Sequence, residues 1–335
     1  MNRNDLAAIE GRLARNPGDI AALIAKADHL AAGGDVRTAS AYYLQAVRVA
    51  QAAPFPTELR AEVARAQAAC DNVAAQLESA LRDRLSSEGL DDPGASRFRE
   101  SLDILAGHRQ PYFQQPQYYF FPGLPQVQFY DRALFPWLDP IEAATPDIRE
   151  EMLAVMQDPA ALKPYVQSDP TRPRNDQAGM ADNPDWSAFY LWKDGAPVPG
   201  NAERCPNTLA ALASVPFPRV RGRMPSILFS VLRPGAHIPA HNGFINARLI
   251  CHLPLVVPRG CAFRVGNETR EWVEGKAWVF DDTIEHEAWN RSARTRVVLL
   301  FELWRPEVTE AERRLIGTLF ETVDAQGGGR VAWSV

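Results

Sequence analysis

The chain has 335 residues, 46% hydrophobic and 23% charged, enough for one large domain and a small one, each with its own core. A net charge of −5 without a basic stripe gives no general attraction to phosphate backbones or anionic bilayers, which argues against nucleic acid as a partner. No apolar signal segment opens the sequence and no window approaches a membrane span, so a cytoplasmic protein without membrane attachment is expected.

Residues 5 to about 105 are rich in Ala, Leu, Arg and Glu, with apolar positions at helical spacing. Asn16 to Asp19 precedes one helix, Gly33 to Asp35 makes a turn, and the run from Ala39 to Val47 forms the next helix. This layout resembles a single tetratricopeptide-type hairpin, although such offsets also occur in other helical hairpins. A third helix is expected from Pro56 to about Ser86, and a breaker cluster follows from Ser87 to Gly94. At Gln110 the composition changes to a Pro- and aromatic-rich run, Tyr118 to Pro125, read either as an apolar strap over a sheet edge or as a substrate element. A short helix is expected from Asp147 to Gln157, and a strand from Asp185 that enters a turn at Asp194-Gly195.

From Ser226 onward short β-type runs end in Gly, Pro, Asn or Asp, which predicts two facing antiparallel sheets. Thr309 with Glu312 is a capping box opening a helix through about Val323. The fold class expected is therefore α+β: a helical, tetratricopeptide-like domain over 1–108, then a double-stranded β-helix or jelly roll over 109–335 with a C-terminal helix. The cysteines Cys70, Cys205, Cys251 and Cys261 include no CxxC pair, so neither a zinc ribbon nor a disulfide framework is indicated, and Cys251 is expected in the core.

Four of the six histidines, His237, His241, His252 and His286, fall in the β region. In a jelly roll, strands distant in sequence converge at the mouth, and two imidazoles meeting there suit iron, copper, nickel or zinc better than magnesium or calcium. Arg296 stands on a strand otherwise made of Val, Leu and Phe. A buried guanidinium needs an anion, and a bidentate carboxylate is the natural partner. Glu287 does not make a metalloprotease, because Asn290 stands where HExxH requires its second histidine.

The spacing of His241-Asn-Gly, Asn246-Ala-Arg248-Leu and His252-Leu, of Phe280-Asp-Asp-Thr and His286-Glu-Ala-Trp-Asn290, and of Arg296 ten residues on, resembles the aspartyl/asparaginyl β-hydroxylases. These are iron(II)- and 2-oxoglutarate-dependent dioxygenases, and the likeness extends over roughly Tyr118 to Pro306. It implies His241 and His286 as iron ligands, with 2-oxoglutarate and O2 as cosubstrates. It further implies Ser230 and Arg296 on the distal carboxylate, His252 on the carboxylate beside the keto group, and Arg248 with Asn246 as site wall. Arg248 in a salt bridge with Asp281 or Asp282 is an equal alternative, and those aspartates are also placed to orient His286 through its imidazole N–H. Two departures stand out: Gly243 where most iron/2-oxoglutarate enzymes have a third, carboxylate ligand, which this family is similar in lacking, and Ile250 where the eukaryotic members have a second arginine.

The function implied is hydroxylation of the β-carbon of an Asp or Asn residue, or of a related peptide, amino-acid or small-molecule substrate. A lipid hydroxylase on the same fold is a further possibility that the lack of an apolar anchor disfavours. The competing classes are a non-catalytic scaffold that binds peptides through its helices, and a zinc hydrolase, which leaves Arg296 unexplained.

Overall fold

The computed structural model describes residues 3–168 and 179–326. The chain divides into two compact units, Met1–Gln110 and Pro111–Val335. The first is helical: α1 (Arg3–Arg15), α2 (Ile20–Ala32), α3 (Val36–Ala52), α4 (Arg60–Ser86) and α5 (Ser96–Leu105). Asp19 and Asp35 cap α2 and α3 by accepting the N–H of Ala22 and Thr38, each at 3.1 Å, so the two predicted helix starts fall on side chains that satisfy orphan donors. Ile20, Leu23, Ile24 and Ala27 of α2 pack against Ala39, Tyr43, Ala46 and Val47 of α3. The helix α4 has 27 residues, about twice the 13 of α2, and of these only Ala66 is buried. The hairpin pattern thus stops at one pair.

The second unit opens with a strap, 111–130, then α6 (Leu138–Ala143) and α7 (Thr145–Met156), the latter where a short helix was expected. The strands are β1 (Lys163–Pro164), β2 (Trp186–Lys193), β3 (Ala196–Pro197), β4 (Ile227–Leu232), β5 (His237–His241), β6 (Arg248–Val256), β7 (Cys261–Val265), β8 (Glu268–Glu271), β9 (Trp278–Phe280), β10 (His286–Asn290) and β11 (Arg296–Trp304). The short helix α8 (Pro206–Ala211) precedes β4, and α9 (Glu310–Gln326) closes the unit. Thr309 and Glu312 form the expected capping box, with each backbone N–H donating to the other's side chain.

The larger sheet runs β1-β2-β4-β11-β6-β9, with β3 on β2, and the smaller runs β5-β10-β7-β8. All strand pairings are antiparallel, and from β4 to β11 the chain alternates between the sheets except at the β7–β8 hairpin, the winding of a double-stranded β-helix.

Side-chain parity sorts the larger sheet into two faces. Odd-numbered residues, among them Phe229, Leu249, Cys251, Leu253, Leu299 and Phe301, pack against Leu138, Ile148 and Met152 of α6 and α7. Even-numbered residues, including Leu228, Ile250, Val298 and Leu300, meet Ile238, Phe263 and Ala288 of the smaller sheet. Strands buried on both faces need apolar residues throughout, which is why β6 and β11 read as continuous runs. Polar residues on the inner face are therefore exceptions that require partners.

The strap covers an edge, one of its two expected readings. Tyr130 donates its N–H to Val279 O at 2.9 Å, beside a bridge between Phe129 and Phe280. Gln115 bonds Thr283 O at 2.8 Å and Gln117 bonds Gly243 O at 3.0 Å, which ties the strap to the loops after β9 and β5. Those loops flank the two histidines.

Candidate active site

His241 ends β5 and His286 begins β10, and the register of the smaller sheet makes them direct cross-strand partners. Residues 45 apart in sequence thereby bring their ring centroids to 4.1 Å. Each Nδ1 faces a carbonyl two residues back, Pro239 O at 2.7 Å and Ile284 O at 3.1 Å. A carbonyl only accepts, so Nδ1 carries the proton and Nε2 keeps its lone pair. Both rings line a cavity of about 370 Å³. Burial pushes both pKa values below the ordinary histidine range, for His286 strongly and with His241 adding to the effect, so the rings stay neutral and able to ligate.

One end of the cavity is an anion socket. Arg296 is 1% exposed, and no carboxylate lies within ion-pair distance of it among the described residues. Its Nη1 reaches Ser230 O at 3.2 Å and Ser230 Oγ at 3.3 Å, its plane sits 4.9 Å from the Trp272 ring, and its Nε has no partner. Burial without a counter-charge lowers its pKa to about 10. His252 lies on the same inner face among Phe263 and Phe280, with Nδ1 unpartnered and its pKa pushed well below the ordinary range by burial and then by Arg296. Two orphaned buried polar groups in one pocket fit a small anion with carboxylates.

The other end is already paired. Arg248 donates to Asp282 at 2.7 Å and to Glu302 at 2.8 Å, all three nearly buried. Arg248 is thus held by two carboxylates, one of them the Asp282 of the salt-bridge alternative, and it also lines the cavity as the site-wall reading expected. Burial alone lowers its pKa, but Asp282 and Glu302 more than offset that and hold it above the usual value.

The aspartates do not orient His286 as one reading expected. Asp282 serves Arg248, while Asp281 accepts from Arg305 at 2.6 Å, Gln114 Nε2 at 2.7 Å and Thr283 Oγ1 at 2.6 Å. The backbone carbonyl of Ile284 does the orienting. Asn246 is likewise a structural link, donating to Gln114 Oε1 at 2.8 Å and accepting the Phe121 N–H at 2.6 Å. His237 is exposed and pairs with Glu287 at 2.9 Å, as its place off the motif suggested. Gly243 has the Asp282 carboxylate where a Cβ would stand, so no side chain fits there.

Glu302, Tyr165 and Trp272 were missed by the sequence reading. Glu302 carried the same signal as Arg296, a charge at an even position on an apolar strand. Tyr165 stacks on Trp186 at 4.0 Å and beside Tyr190 at 6.3 Å, forming an aromatic wall of the cavity. Among the described residues no three His, Cys, Asp or Glu side chains are arranged to hold a metal ion.

The family model described as aspartyl/asparaginyl beta-hydroxylase matches residues 142–306, which contain every residue of this site. Over these residues, just under half of the chain, the barrel resembles the aspartyl/asparaginyl β-hydroxylases. The ornithine lipid ester-linked acyl 2-hydroxylase of Rhizobium tropici is 39% identical over 187 residues, covering 55% of this chain and 62% of that protein. The aspartyl/asparaginyl beta-hydroxylase of Homo sapiens is 37% identical over 169 residues, covering 50% of this chain and 21% of the human one. The human aspartate beta-hydroxylase domain-containing protein 2 is 30% identical over 218 residues, 63% of this chain and 56% of its own. The match thus spans less than two thirds of the length of each of these relatives. Likeness to solved cupin structures is slight, as with a predicted oxalate decarboxylase from Thermotoga maritima at 12% identity, 36% of this chain, 81% of that one and a TM-score of 0.24. Among the described residues no helix is long and apolar enough to cross a membrane.

Proposed function

We propose that this protein is a hydroxylase, an iron(II)- and 2-oxoglutarate-dependent dioxygenase. The observation that carries the reading is Arg296, a buried cation without an acid on the same inner face as His252 and opposite the paired imidazoles of His241 and His286. In this reading the Nε2 atoms of His241 and His286 hold iron(II). Ser230 and Arg296 bind the distal carboxylate of 2-oxoglutarate, and the neutral His252 contacts the carboxylate beside the keto group. Iron with 2-oxoglutarate and O2 supplies the oxidising power for inserting oxygen into a C–H bond. The protein's own part is orientation: backbone carbonyls fix both imidazole tautomers, and the aromatic wall keeps water from the reacting carbon. Two protein ligands make metal retention depend on the cosubstrate, since Asp282 closes the place beside Gly243.

The family resemblance implies an Asp or Asn residue or a related peptide, amino acid or small molecule as substrate, in keeping with the name of the human relative. The name of the rhizobial relative points to an acyl chain, and Ile250 together with the double pairing of Arg248 favours that second reading. A non-catalytic scaffold does not account for an unpaired Arg296, and neither does a zinc hydrolase.

The test is an anaerobic titration of the metal-free protein with iron(II) and 2-oxoglutarate, recording the visible metal-to-ligand charge-transfer band. The band is expected in the wild type only when both are present, and it is expected to be lost in His286→Ala and Arg296→Ala. A folded wild type without the band overturns the reading and leaves the scaffold in its place.

A further inference from the structure

Trp186 of β2 and Arg296 of β11 stand on the two strands that flank β4, and register places both opposite the same residue, Leu232. Two positions back on β4, Ser230 has Ala188 on one side and Val298 on the other. Even positions of these strands share the inner face, so the indole and the guanidinium approach Ser230 from its two sides along the diagonal, a reach open to aromatic and long side chains. All three residues line the cavity.

The hydrogen bonds at Ser230 fix the direction of its proton. Trp186 Nε1 donates to Ser230 Oγ at 3.2 Å, and Arg296 Nη1 donates to the same oxygen at 3.3 Å. A hydroxyl has two lone pairs and one proton, so two incoming donors leave Ser230 Oγ able only to donate. Among the described residues nothing accepts that proton, which leaves the cavity as its direction. Beside it Arg296 holds out Nε, also without a partner. The socket therefore presents donors and no acceptor, an environment that suits an ionised carboxylate and leaves the proton of a protonated acid or an amide unmatched. Trp186 is itself held in place: it is buried, its ring stacks on Tyr165 at 4.0 Å with the planes within 10°, and its carbonyl accepts the Tyr165 N–H at 2.9 Å. Without the indole N–H one lone pair of Ser230 would be free, and the hydroxyl could turn away from the cavity.

We infer that Trp186 is a positioning residue for the cosubstrate: its indole N–H, held by the Tyr165 stack, occupies an acceptor position of Ser230 and makes the hydroxyl a dedicated donor to the distal carboxylate of 2-oxoglutarate. This deepens the reading of the site as a 2-oxoglutarate oxygenase and rests on it. Trp186 acts through Ser230 rather than on the cosubstrate directly.

The experiment is a double-mutant cycle that measures binding rather than turnover. The full chain, with manganese(II) in place of iron, is titrated calorimetrically with 2-oxoglutarate. Trp186→Phe keeps an aromatic ring beside Tyr165 and removes the N–H, and it is expected to weaken binding roughly threefold or more, a part of the worth of a hydrogen bond to a charged group. Ser230→Ala is expected to weaken binding at least as much. Because the tryptophan acts through the hydroxyl, adding Trp186→Phe to Ser230→Ala should change the affinity by less than about twofold. A tryptophan that only packs the wall would weaken binding equally in both backgrounds. If Trp186→Phe does not fold, 3-benzothienylalanine at position 186 keeps the bicyclic ring, lacks only the N–H and takes its place in the cycle. The inference is overturned if loss of the N–H weakens 2-oxoglutarate less than about threefold, or if it weakens binding as much without the Ser230 hydroxyl as with it. The wild-type titration separates the cases: a wild type that does not bind 2-oxoglutarate sinks the oxygenase reading and this inference together, while a wild type that binds it and an additive cycle sink only the role of Trp186.

Discussion

Replacing Arg296 by Met is expected to stabilise the ligand-free protein while abolishing its response to 2-oxoglutarate. The fall of its pKa from the ordinary arginine value to about 10 is roughly 2.5 logarithmic steps, or about 3 kcal/mol of unfavourable burial. Against this, the variant loses two hydrogen bonds to Ser230 at 3.2 and 3.3 Å, each worth about 0.5–1.5 kcal/mol. Methionine retains most of the packing over Trp272 and leaves no uncompensated charge. The net expectation is a gain of about 1 kcal/mol, within a range of about 0–2, which is at most roughly 8 °C in the melting of a unit this size. The assay is thermal unfolding followed by circular dichroism, with and without 2-oxoglutarate and manganese(II). In the wild type the cosubstrate should raise the midpoint, by about 2.7 kcal/mol at a hundredfold excess over its Kd. The variant should begin higher and not move. A variant melting well below the wild type, or one still stabilised by 2-oxoglutarate, would show that Arg296 is a structural cation and refute the anion socket.

Asp281→Ala strips the fully buried Arg305 of its buried carboxylate, leaving only Glu307 at 3.8 Å, and should cost about 3–5 kcal/mol in urea unfolding, with much of the loss recovered by adding Arg305→Met; a loss below 1 kcal/mol would contradict the buried pair. Gly243→Asp should not create a third metal ligand, because its Cβ meets the Asp282 carboxylate; weaker iron binding or misfolding is expected, and tighter iron binding would count against this geometry. Burial holds His241, His252 and His286 below the ordinary value near 6.5, so below that pH the unfolded chain binds more protons than the folded one. Metal-free stability from these groups is therefore complete above about pH 6.5 and falls as the pH drops. Denaturant midpoints between pH 7.5 and 5.5 measure this, and a midpoint rising toward acid would reverse the sign.

The sequence by itself determined the kinds of element, since local chemistry suffices for them. Asp19, Asp35 and the Thr309–Glu312 box cap helices through contacts within three residues, and β6 and β11 announce burial on both faces by uninterrupted apolar runs. The family motif likewise singled out His241, His286, Ser230, His252 and Arg296, and an isolated charge on an apolar strand made Arg296 conspicuous without any alignment. What only the tertiary structure decided is which charge meets which. Arg248 had two open readings until Asp282 and Glu302, 34 and 54 residues away, closed around it. Asp281 turned from His286 to Arg305 and Gln114, and the strap joined both histidine loops through hydrogen bonds no periodicity encodes. Partner choice among buried polar groups depends on strand register and on which face each side chain takes, and these are properties of the closed barrel rather than of any segment within it.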